Sequence, residues 1–163
     1  TKTRAPDPSG SGLTVLAGES RVEGFELSAV GEIASFWQAN IGYTYLDGEL
    51  RNTSDFGTAG ARLQQLPKHQ IAAWNRFDVT ERLGFGLGVI HQSEQFASFS
   101  NTVVLPSYWR VDAAAYLTLT DRIGVQLNIE NLFDEDYYPS AHGNNNIQPG
   151  DPFTARIGVR FEM

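Results

Sequence analysis

The fold of this chain is decided by two consecutive runs, YWRVDAAAYLTLT at residues 108–120 and RIGVQLNIENLFD at residues 122–134. The odd positions of the first run are all apolar, and those of the second are apolar except for Asn131. Polar residues and glycine dominate the even positions. A two-residue repeat sorts side chains onto the two faces of a strand, whereas a helix with 3.6 residues per turn cannot. Because only Asp121 separates the runs, we predict an antiparallel hairpin.

The rest of the chain repeats this alternation. Thr1–Gly12 is rich in proline, glycine and serine, which predicts turns, although Thr1–Arg4 offers the end of a further strand. Alternate glycines follow one face near residue 86, and they weaken a strand unless a side chain packs closely over them. We predict further strands at Leu13–Ile33 (with a break at Gly18), Trp37–Asp47, Pro67–Val79, Arg82–Phe96 and Phe153–Met163.

The connections between these strands alternate in length. Short turns on one side and long loops on the other are typical of up-and-down barrels of the outer membrane, with the short turns in the periplasm. Under this interpretation Met163 is expected on the periplasmic side. The short links are Ala34–Phe36, Thr80–Glu81 and Asp121, and the long ones are Gly48–Leu66, Ala97–Pro106 and Glu135–Pro152.

Composition excludes several classes of protein. The 12 basic and 19 acidic residues give a net charge of −7, which argues against a nucleic-acid surface. There is no cysteine, so disulfides and cysteine-based metal sites are excluded. No run approaches the roughly 18 apolar residues of a transmembrane helix. The chain opens without a signal peptide or an initiator methionine, which suggests a mature form or an excised piece.

Alternation alone does not say whether the apolar face points into a barrel or out of it. A soluble lipocalin-type barrel carries apolar residues inside, and a membrane barrel carries them outside. Three features favour a membrane barrel: charged residues and glycines on the opposite face, strands long enough to cross a bilayer, and aromatic residues toward the strand ends. The soluble ligand-binding barrel remains the alternative.

Three stretches resemble a known family. The segment Asn128–Tyr138, which contains Asn-Leu-Phe-Asp, resembles the C-terminal end of TonB-dependent outer-membrane receptors. Arg21–Glu26 resembles the Arg-x-x-Gly-x-Glu stretch of their later barrel, and Leu66–His69 the Leu-Pro-x-His that opens a later strand. Among these receptors the chain is most similar to siderophore receptors, in particular those for ferric catecholates.

The resemblance implies a bacterial outer-membrane location and a barrel of about 22 strands filled by an N-terminal plug. Residues 1–163 then form the C-terminal portion of the barrel, with the plug domain absent. Seven to eight strands are visible, either a segment of a larger barrel or a small closed one. The implied function is uptake of a ferric siderophore, energised by TonB through the missing N-terminal region. A small structural or engineered barrel without transport remains an alternative.

The resemblance also bounds the sites and partners. It implies outer-membrane lipid around the barrel. No nucleic acid, resident cofactor or enzyme activity is expected, since the net charge is acidic and no motif spacing links catalytic residues. His69, His91 and His142 are scattered, so no protein metal site is expected. Ferric catecholates are anionic and aromatic, which suits basic and aromatic partners. The ligand-binding candidates, all in loops, are Arg62, Phe96, Phe99, Tyr138 and His142. Cross-strand ion pairs on the lumen wall are expected from Arg110, Asp112, Glu130 and Arg156.

Overall fold

The protein is all-β in its computed structural model, which describes residues 2–6, 14–53 and 57–162. Twelve strands lie within these residues. In chain order they are β1 (Lys2–Pro6), β2 (Thr14–Ala34), β3 (Trp37–Leu50), β4 (His69–Asp78), β5 (Leu83–Gln92), β6 (Gln95–Phe96), β7 (Val104–Leu105), β8 (Tyr108–Thr120), β9 (Ile123–Glu130), β10 (Ser140–Gly143), β11 (Asn146–Gln148) and β12 (Thr154–Phe161). Among the described residues no helix is long and apolar enough to cross a bilayer.

Eight strands form one antiparallel sheet whose order, β1-β2-β3-β4-β5-β8-β9-β12, follows the chain. The predicted hairpin is confirmed as β8–β9, with Ala115 opposite Leu127 and Leu117 opposite Val125. The remaining strands pair as two short ribbons, β6–β7 and β10–β11, inside connections of the sheet. A sheet in which each strand pairs with the next has the up-and-down topology that the alternation predicts.

One face of the sheet is apolar, and it is exposed rather than packed into a core. On β9 and β12, Val125 lies opposite Val159 and Leu127 opposite Ile157. Ile157 is 75% exposed and Val159 is 55% exposed. A soluble barrel would stack these side chains in a dry interior, because apolar surface is stabilised by about 25 cal/mol for each Å² removed from water. Among the described residues these side chains are not stacked in a dry interior, which argues against the soluble alternative.

The opposite face is polar, and over β5 it is covered by side chains that reach across glycines. A Cβ on Gly86 or Gly88 would lie 2.4 or 2.6 Å from the indole of Trp74 on β4, so this ring covers the glycines of β5. The guanidinium of Arg76 on β4 lies 4.5 Å from the ring centroid of Tyr116 on β8, on the far side of β5. Side chains two strands apart meet in this way on the concave side of a curved sheet.

The connections divide as predicted between the two ends of the strands, which we call the short-link edge and the long-loop edge of the sheet. Short links join β2 to β3, β4 to β5 and β8 to β9 at one edge, and long links join β3 to β4, β5 to β8 and β9 to β12 at the other. The short links are residues 35–36, 79–82 and 121–122, and the long ones are 51–68, 93–107 and 131–153.

The N-terminal region differs from the prediction of turns. Lys2–Pro6 forms β1, so the interpretation of Thr1–Gly12 as turn material is wrong there, and the further strand suggested at Thr1–Arg4 is confirmed in Lys2–Pro6. Pro6 favours a turn, but β1 is the outermost strand of the described sheet, and such a strand tolerates a residue without an N–H donor. Thr1 and residues 7–13 lie outside the described residues, as do residues 54–56 and Met163.

The break expected at Gly18 is also wrong, since β2 runs unbroken through it. The pairing nevertheless changes there: Thr3 pairs with Gly18, while the next residue, Arg4, pairs with Leu16. One residue of β2 is therefore left over, which is a β-bulge. The signal at Gly18 marks a change of register and not the end of a strand.

Several strand ends shift for a physical reason. The second strand of the hairpin ends at Glu130 and not at Asp134, because Asn131 (φ 53°) and Asp134 (φ 52°) have left-handed backbones that cannot continue a strand. The strand predicted to end at Asp47 continues to Leu50, and its loop contacts hold this extension. The two loops after β5 and β9 contain the ribbons, which the sequence did not predict.

The sheet is open. Among the described residues, β1 pairs only with β2 and β12 pairs only with β9. A closed barrel needs two neighbours for every strand. Of the two architectures expected, the segment of a larger barrel therefore fits and the small closed barrel does not.

Candidate ligand-binding rim

The three long connections converge at one edge of the sheet and form what we call the rim. The first rim loop is residues 51–68, the second is 93–107 and the third is 131–153. Ala97 and Leu105 of the second loop and Ala141 of the third are at most 2% exposed, and Val103 packs against them. This small core packs the second rim loop against the third.

The first and second loops are joined through their backbones. The Gln65 N–H donates to the Phe96 carbonyl at 2.9 Å, and Gln64 forms a parallel bridge with Phe96. The Asn101 side chain accepts from the Arg62 N–H at 2.8 Å and donates to the Arg62 carbonyl at 3.0 Å. Both backbone groups of Arg62 are thus held by one side chain, so its own side chain starts from a fixed position.

The third loop is joined to the other two by amide side chains. Gln95, which is 2% exposed, donates from Nε2 to the Pro139 carbonyl at 2.8 Å. The Ala141 N–H donates to Gln65 Oε1 at 3.3 Å. At the loop tip, Asn144 accepts from Ser98 Oγ at 2.8 Å through Oδ1. Its Nδ2 donates to Ser100 and Thr102 hydroxyls at 3.0 and 3.1 Å.

Asn131 ties the two ends of the third loop together. Its side chain is 1% exposed, and its Nδ2 donates to the carbonyls of Glu135 at 2.9 Å and Asp151 at 3.0 Å. Its Oδ1 accepts from the Glu135 N–H at 2.9 Å. Nearby, Asp134 Oδ1 accepts from the Phe153 N–H at 2.8 Å. The Asn-Leu-Phe-Asp motif therefore has a structural role, since its first and last residues close the base of this loop.

The same base is linked to the polar face of β8. Asp112 accepts from the Asn131 N–H at 2.9 Å and from Arg110 Nη2 at 2.8 Å. Arg110 Nη1 donates to the Tyr137 hydroxyl at 2.9 Å. Tyr137 is 6% exposed, and a Cβ on Gly150 would lie 2.1 Å from its ring. A chain of hydrogen bonds thus runs from Asn131 along the polar face of β8, through Asp112 and Arg110, to Tyr137. It holds the third loop over the polar face.

Arg62 is the cation best placed for a ligand among those proposed from sequence. Its guanidinium lies 5.3 Å from the centroid of the Phe96 ring. Its side chain is 28% exposed, and its ion pair with Glu94 is long, at 3.9 Å between Nη1 and Oε1. Glu94 is 64% exposed and well solvated, so it neutralises Arg62 weakly. The guanidinium over a ring is the combination expected to bind an anionic, aromatic chelate.

The other proposed ligand residues also lie on the rim. Phe99 is half-buried, and its backbone lies 3.1 Å from where a Cβ on Gly57 would be. Tyr138 is 40% exposed, and His142 on β10 is exposed. The structure thus brings Arg62 and Phe96 together and leaves Tyr138 and His142 facing solvent on the third loop. Ligand binding by these five residues stays a prediction.

Sequence reasoning chose Tyr138 and missed its neighbour Tyr137, which the structure buries. The ring of Tyr137 lies 4.6 Å from that of Tyr108, and its hydroxyl accepts from Arg110. Two adjacent tyrosines in an irregular loop give no periodicity that tells them apart. The glycine at position 150 was the available signal, because a glycine can mark a close approach.

The expected ion pairs form, with one difference in geometry. Arg156 on β12 pairs with Glu130 on β9, across strands as predicted. Arg110 and Asp112 pair at 2.8 Å along the same strand, so the cross-strand expectation is wrong for them. Residues two apart on a strand share a face, which explains the contact.

The histidines do not form a metal site. Within the described part of the chain, no group of three or more histidine or carboxylate residues is placed to hold a metal ion. His69 instead contacts the Tyr43 hydroxyl at 2.9 Å through Nδ1, and His91 stacks on Trp109 with ring centroids 4.2 Å apart. Both lie on the apolar face of the sheet near its long-loop edge, away from His142 on the rim.

Comparison with known proteins gives consistent matches. A family model described as TonB dependent receptor-like, beta-barrel matches residues 3–132. The chain is 32% identical over 155 residues to a protein of Acinetobacter baumannii named as a probable TonB-dependent siderophore receptor, PiuA, covering 89% of this chain and 21% of that protein. In the crystal structure of the siderophore receptor PiuA, the match has a TM-score of 0.82 at 32% identity, over 98% of this chain and 24% of that one.

Two further relatives differ in the ligand that they are named for. The catecholate siderophore receptor Fiu of Escherichia coli K12 is 31% identical over 143 residues, covering 84% of this chain and 19% of that protein. The metal-pseudopaline receptor CntO of Pseudomonas aeruginosa is 30% identical over 151 residues, covering 90% and 21%. The chain spans about one fifth of the length of these curated relatives.

Proposed function

The chain belongs to the TonB-dependent receptor β-barrel family, and from this membership we propose that it supplies part of the wall and of the ligand-binding rim of a ferric siderophore receptor. The family consists of bacterial outer-membrane barrels. In such barrels the outward face is apolar and touches lipid, and the lumen face is polar. The apolar face of this sheet is therefore the lipid face, and the face that carries Trp74 and Arg110 is the lumen wall.

The family membership also orients the rim. Outer-membrane barrels have short periplasmic turns and longer extracellular loops. The three rim loops therefore lie outside the cell, where a ligand arrives, and the short links lie at the periplasmic end. The exposed apolar side chains, such as Ile157, make outer-membrane lipid the expected neighbour of the sheet.

The observation that carries the ligand proposal is the position of Arg62 over Phe96 on the rim. Its backbone is fixed by Asn101 and its carboxylate neighbour is distant and solvated. A cation in this state can pair with an anionic ligand without breaking a strong internal ion pair. The ring beneath it offers a face for an aromatic chelator. We therefore assign a ferric catecholate, carried as cargo, as the ligand class.

The proposal for the whole receptor rests on its family. Residues 1–163 correspond to the C-terminal portion of the barrel, and the plug and the TonB contact belong to other parts of the full-length protein. TonB supplies the energy for uptake. The relatives are transport receptors, so we assign this chain no catalytic step and no resident cofactor. The net charge of −7 gives it no nucleic-acid partner.

The test uses the full-length receptor, purified in detergent, and a ferric catecholate formed from iron(III) and catechol. Arg62→Ala is expected to weaken binding about tenfold or more, because a charge-assisted contact is lost. Arg62→Lys, which keeps the charge but loses the planar guanidinium, should fall between Arg62→Ala and the native receptor. Arg82→Ala, an exposed arginine at the short-link edge, should bind as the native receptor does.

Uptake of iron from the same complex by cells should depend on the receptor and should be lost in cells without TonB. Native affinity in Arg62→Ala, or uptake that persists without TonB, would contradict the proposal. Relatedness to CntO makes a metal–pseudopaline complex the second candidate ligand. Phe96→Leu separates the two, because loss of the ring should weaken an aromatic chelate selectively.

A further inference from the structure

The base of the third rim loop is closed by one side chain. Both N–H donors of Asn131 are used, by the carbonyls of Glu135 and Asp151 at opposite ends of the loop. An amide has two such donors, so no other small side chain reproduces this clamp. Asn131 also has a left-handed backbone, with φ at 53°, which asparagine tolerates better than most residues.

A second clamp lies further along the same loop. Tyr137 is held by Arg110 from the lumen wall, and its ring packs over Gly150, whose N–H donates to the Tyr137 carbonyl at 2.8 Å. With both clamps closed, the part of the loop that lies between them is shortened to residues 138–149. These residues include Tyr138 and His142, and each clamp lowers the number of conformations that they can adopt.

The clamped segment is the one that touches the other two loops. Pro139 and Ala141 bind the side chains of Gln95 and Gln65, and Asn144 binds hydroxyls of the second loop. Gln65 also binds Phe96 through its N–H, next to Arg62. Asn131 touches neither Arg62 nor Phe96. It is linked to their position through the third loop and the hydrogen bonds that this loop makes to Gln65 and Gln95.

We propose that Asn131 is a positioning residue for ligand binding: together with Asp112, Arg110 and Tyr137 it fixes the third rim loop against the lumen wall, and so holds all three rim loops as one preformed surface. The inference rests on the proposed function for its effect on affinity. A preformed surface binds more tightly because less conformational entropy is lost on binding. Asn131 contributes through loop order, without contacting the ligand.

The experiment compares variants of the full-length receptor in detergent. Asn131→Asp keeps the shape and the acceptor but places an oxygen against the carbonyls of Glu135 and Asp151. Asn131→Gly allows the same left-handed backbone and removes the side chain. Asn128→Asp is the matched control, since Asn128 lies on β9, three residues before Asn131, and its side chain accepts from the neighbouring Gln126 Nε2 and not from the third loop. Affinity for the ferric catecholate, hydrogen exchange of the rim amides and the melting temperature are measured for each.

Both Asn131 variants should bind about tenfold more weakly, through faster dissociation, while Asn128→Asp binds normally. Hydrogen exchange should rise in the third loop and also at residues 62–65 and 95–101, which Asn131 does not touch. Tyr137→Phe is the milder second variant, because it keeps the ring and loses only the hydroxyl bond. It should weaken binding about threefold. Tyr43→Phe on the lipid face is its control.

Three outcomes would overturn the inference. Faster exchange in the third loop with native affinity would make Asn131 a stabilising residue only, as would a lower melting temperature alone. Faster exchange confined to the third loop would show that the rim is not one surface. If the native receptor binds no ferric siderophore, the proposed function fails, and exchange at residues 62–65 and 95–101 still decides whether the three loops are coupled.

Discussion

At the scale of single residues, glycine marks where another side chain must lie. The indole of Trp74 occupies the space above Gly86 and Gly88, and Tyr137 occupies that above Gly150. By contrast, a Cβ on Gly124 or on Gly158 would meet nothing within 4 Å. Glycines on the lumen face are therefore of two kinds. Those covered by a side chain, such as Gly86 and Gly88, are required by packing within the described residues, and the uncovered ones, Gly124 and Gly158, are not.

This difference gives a prediction for the lumen wall. Gly86→Ala and Gly88→Ala should each destabilise the receptor by about 1–3 kcal/mol, because the indole of Trp74 must move. Gly124→Ala, on the same face two strands away, is the control and should change stability little. The free energy of unfolding in denaturant, measured in lipid vesicles, checks this. Equal stability of all three variants would show that Trp74 does not lie over β5.

The sequence predicted the need for this contact but not the partner. Alternate glycines along Leu83–Gln92 indicated that something packs over one face of the strand. Which side chain does so depends on the register of β4 against β5, where Trp74 lies opposite Gly88. Likewise Arg62 and Phe96 could be named as loop residues, but their contact depends on the loop pairing through Gln64 and Gln65.

At the scale of strands, the two-residue repeat carries nearly all of the fold. It predicted β8 and β9 as an antiparallel hairpin, because each face of the two strands meets a different environment over many residues. It did not reveal the ribbons in the rim loops, and β1 was suggested only as the end of a further strand at Thr1–Arg4. These strands have two to five residues, too few for a repeat to be visible, and β6, β7, β10 and β11 are formed by contacts between loops.

The repeat makes neighbouring residues respond in opposite ways to the same change. Leu127→Arg should destabilise the receptor by about 2–4 kcal/mol, because it places a charge on the lipid face. Gln126→Arg, one residue away on the lumen face, should have a small effect. Insertion into the outer membrane and resistance to denaturant are the measurements. A larger cost for Gln126→Arg than for Leu127→Arg would mean that the faces are assigned the wrong way round.

At the scale of the whole molecule, the sheet is an arc of a barrel. β1 and β12 each have one partner among the described residues, so closure needs further strands beside them. The arc has a lipid face, a lumen wall and a rim where the long loops pack into a small core. Its topology and its two faces were predictable from sequence. The packing of the rim was not, because it depends on amide side chains that bond across three separate loops.

The most direct measurement is labelling of single cysteines in the full-length receptor, made in a cysteine-free background; the present chain contributes none. Asn145→Cys on the rim should react in intact cells with a maleimide that cannot cross membranes. Glu81→Cys at the short-link edge should react only after the outer membrane is opened. Ile157→Cys should react only with a lipid-soluble reagent. Labelling of Glu81→Cys in intact cells with protection of Asn145→Cys, or labelling of Ile157→Cys by the impermeant reagent, would contradict the placement of this sheet in the membrane.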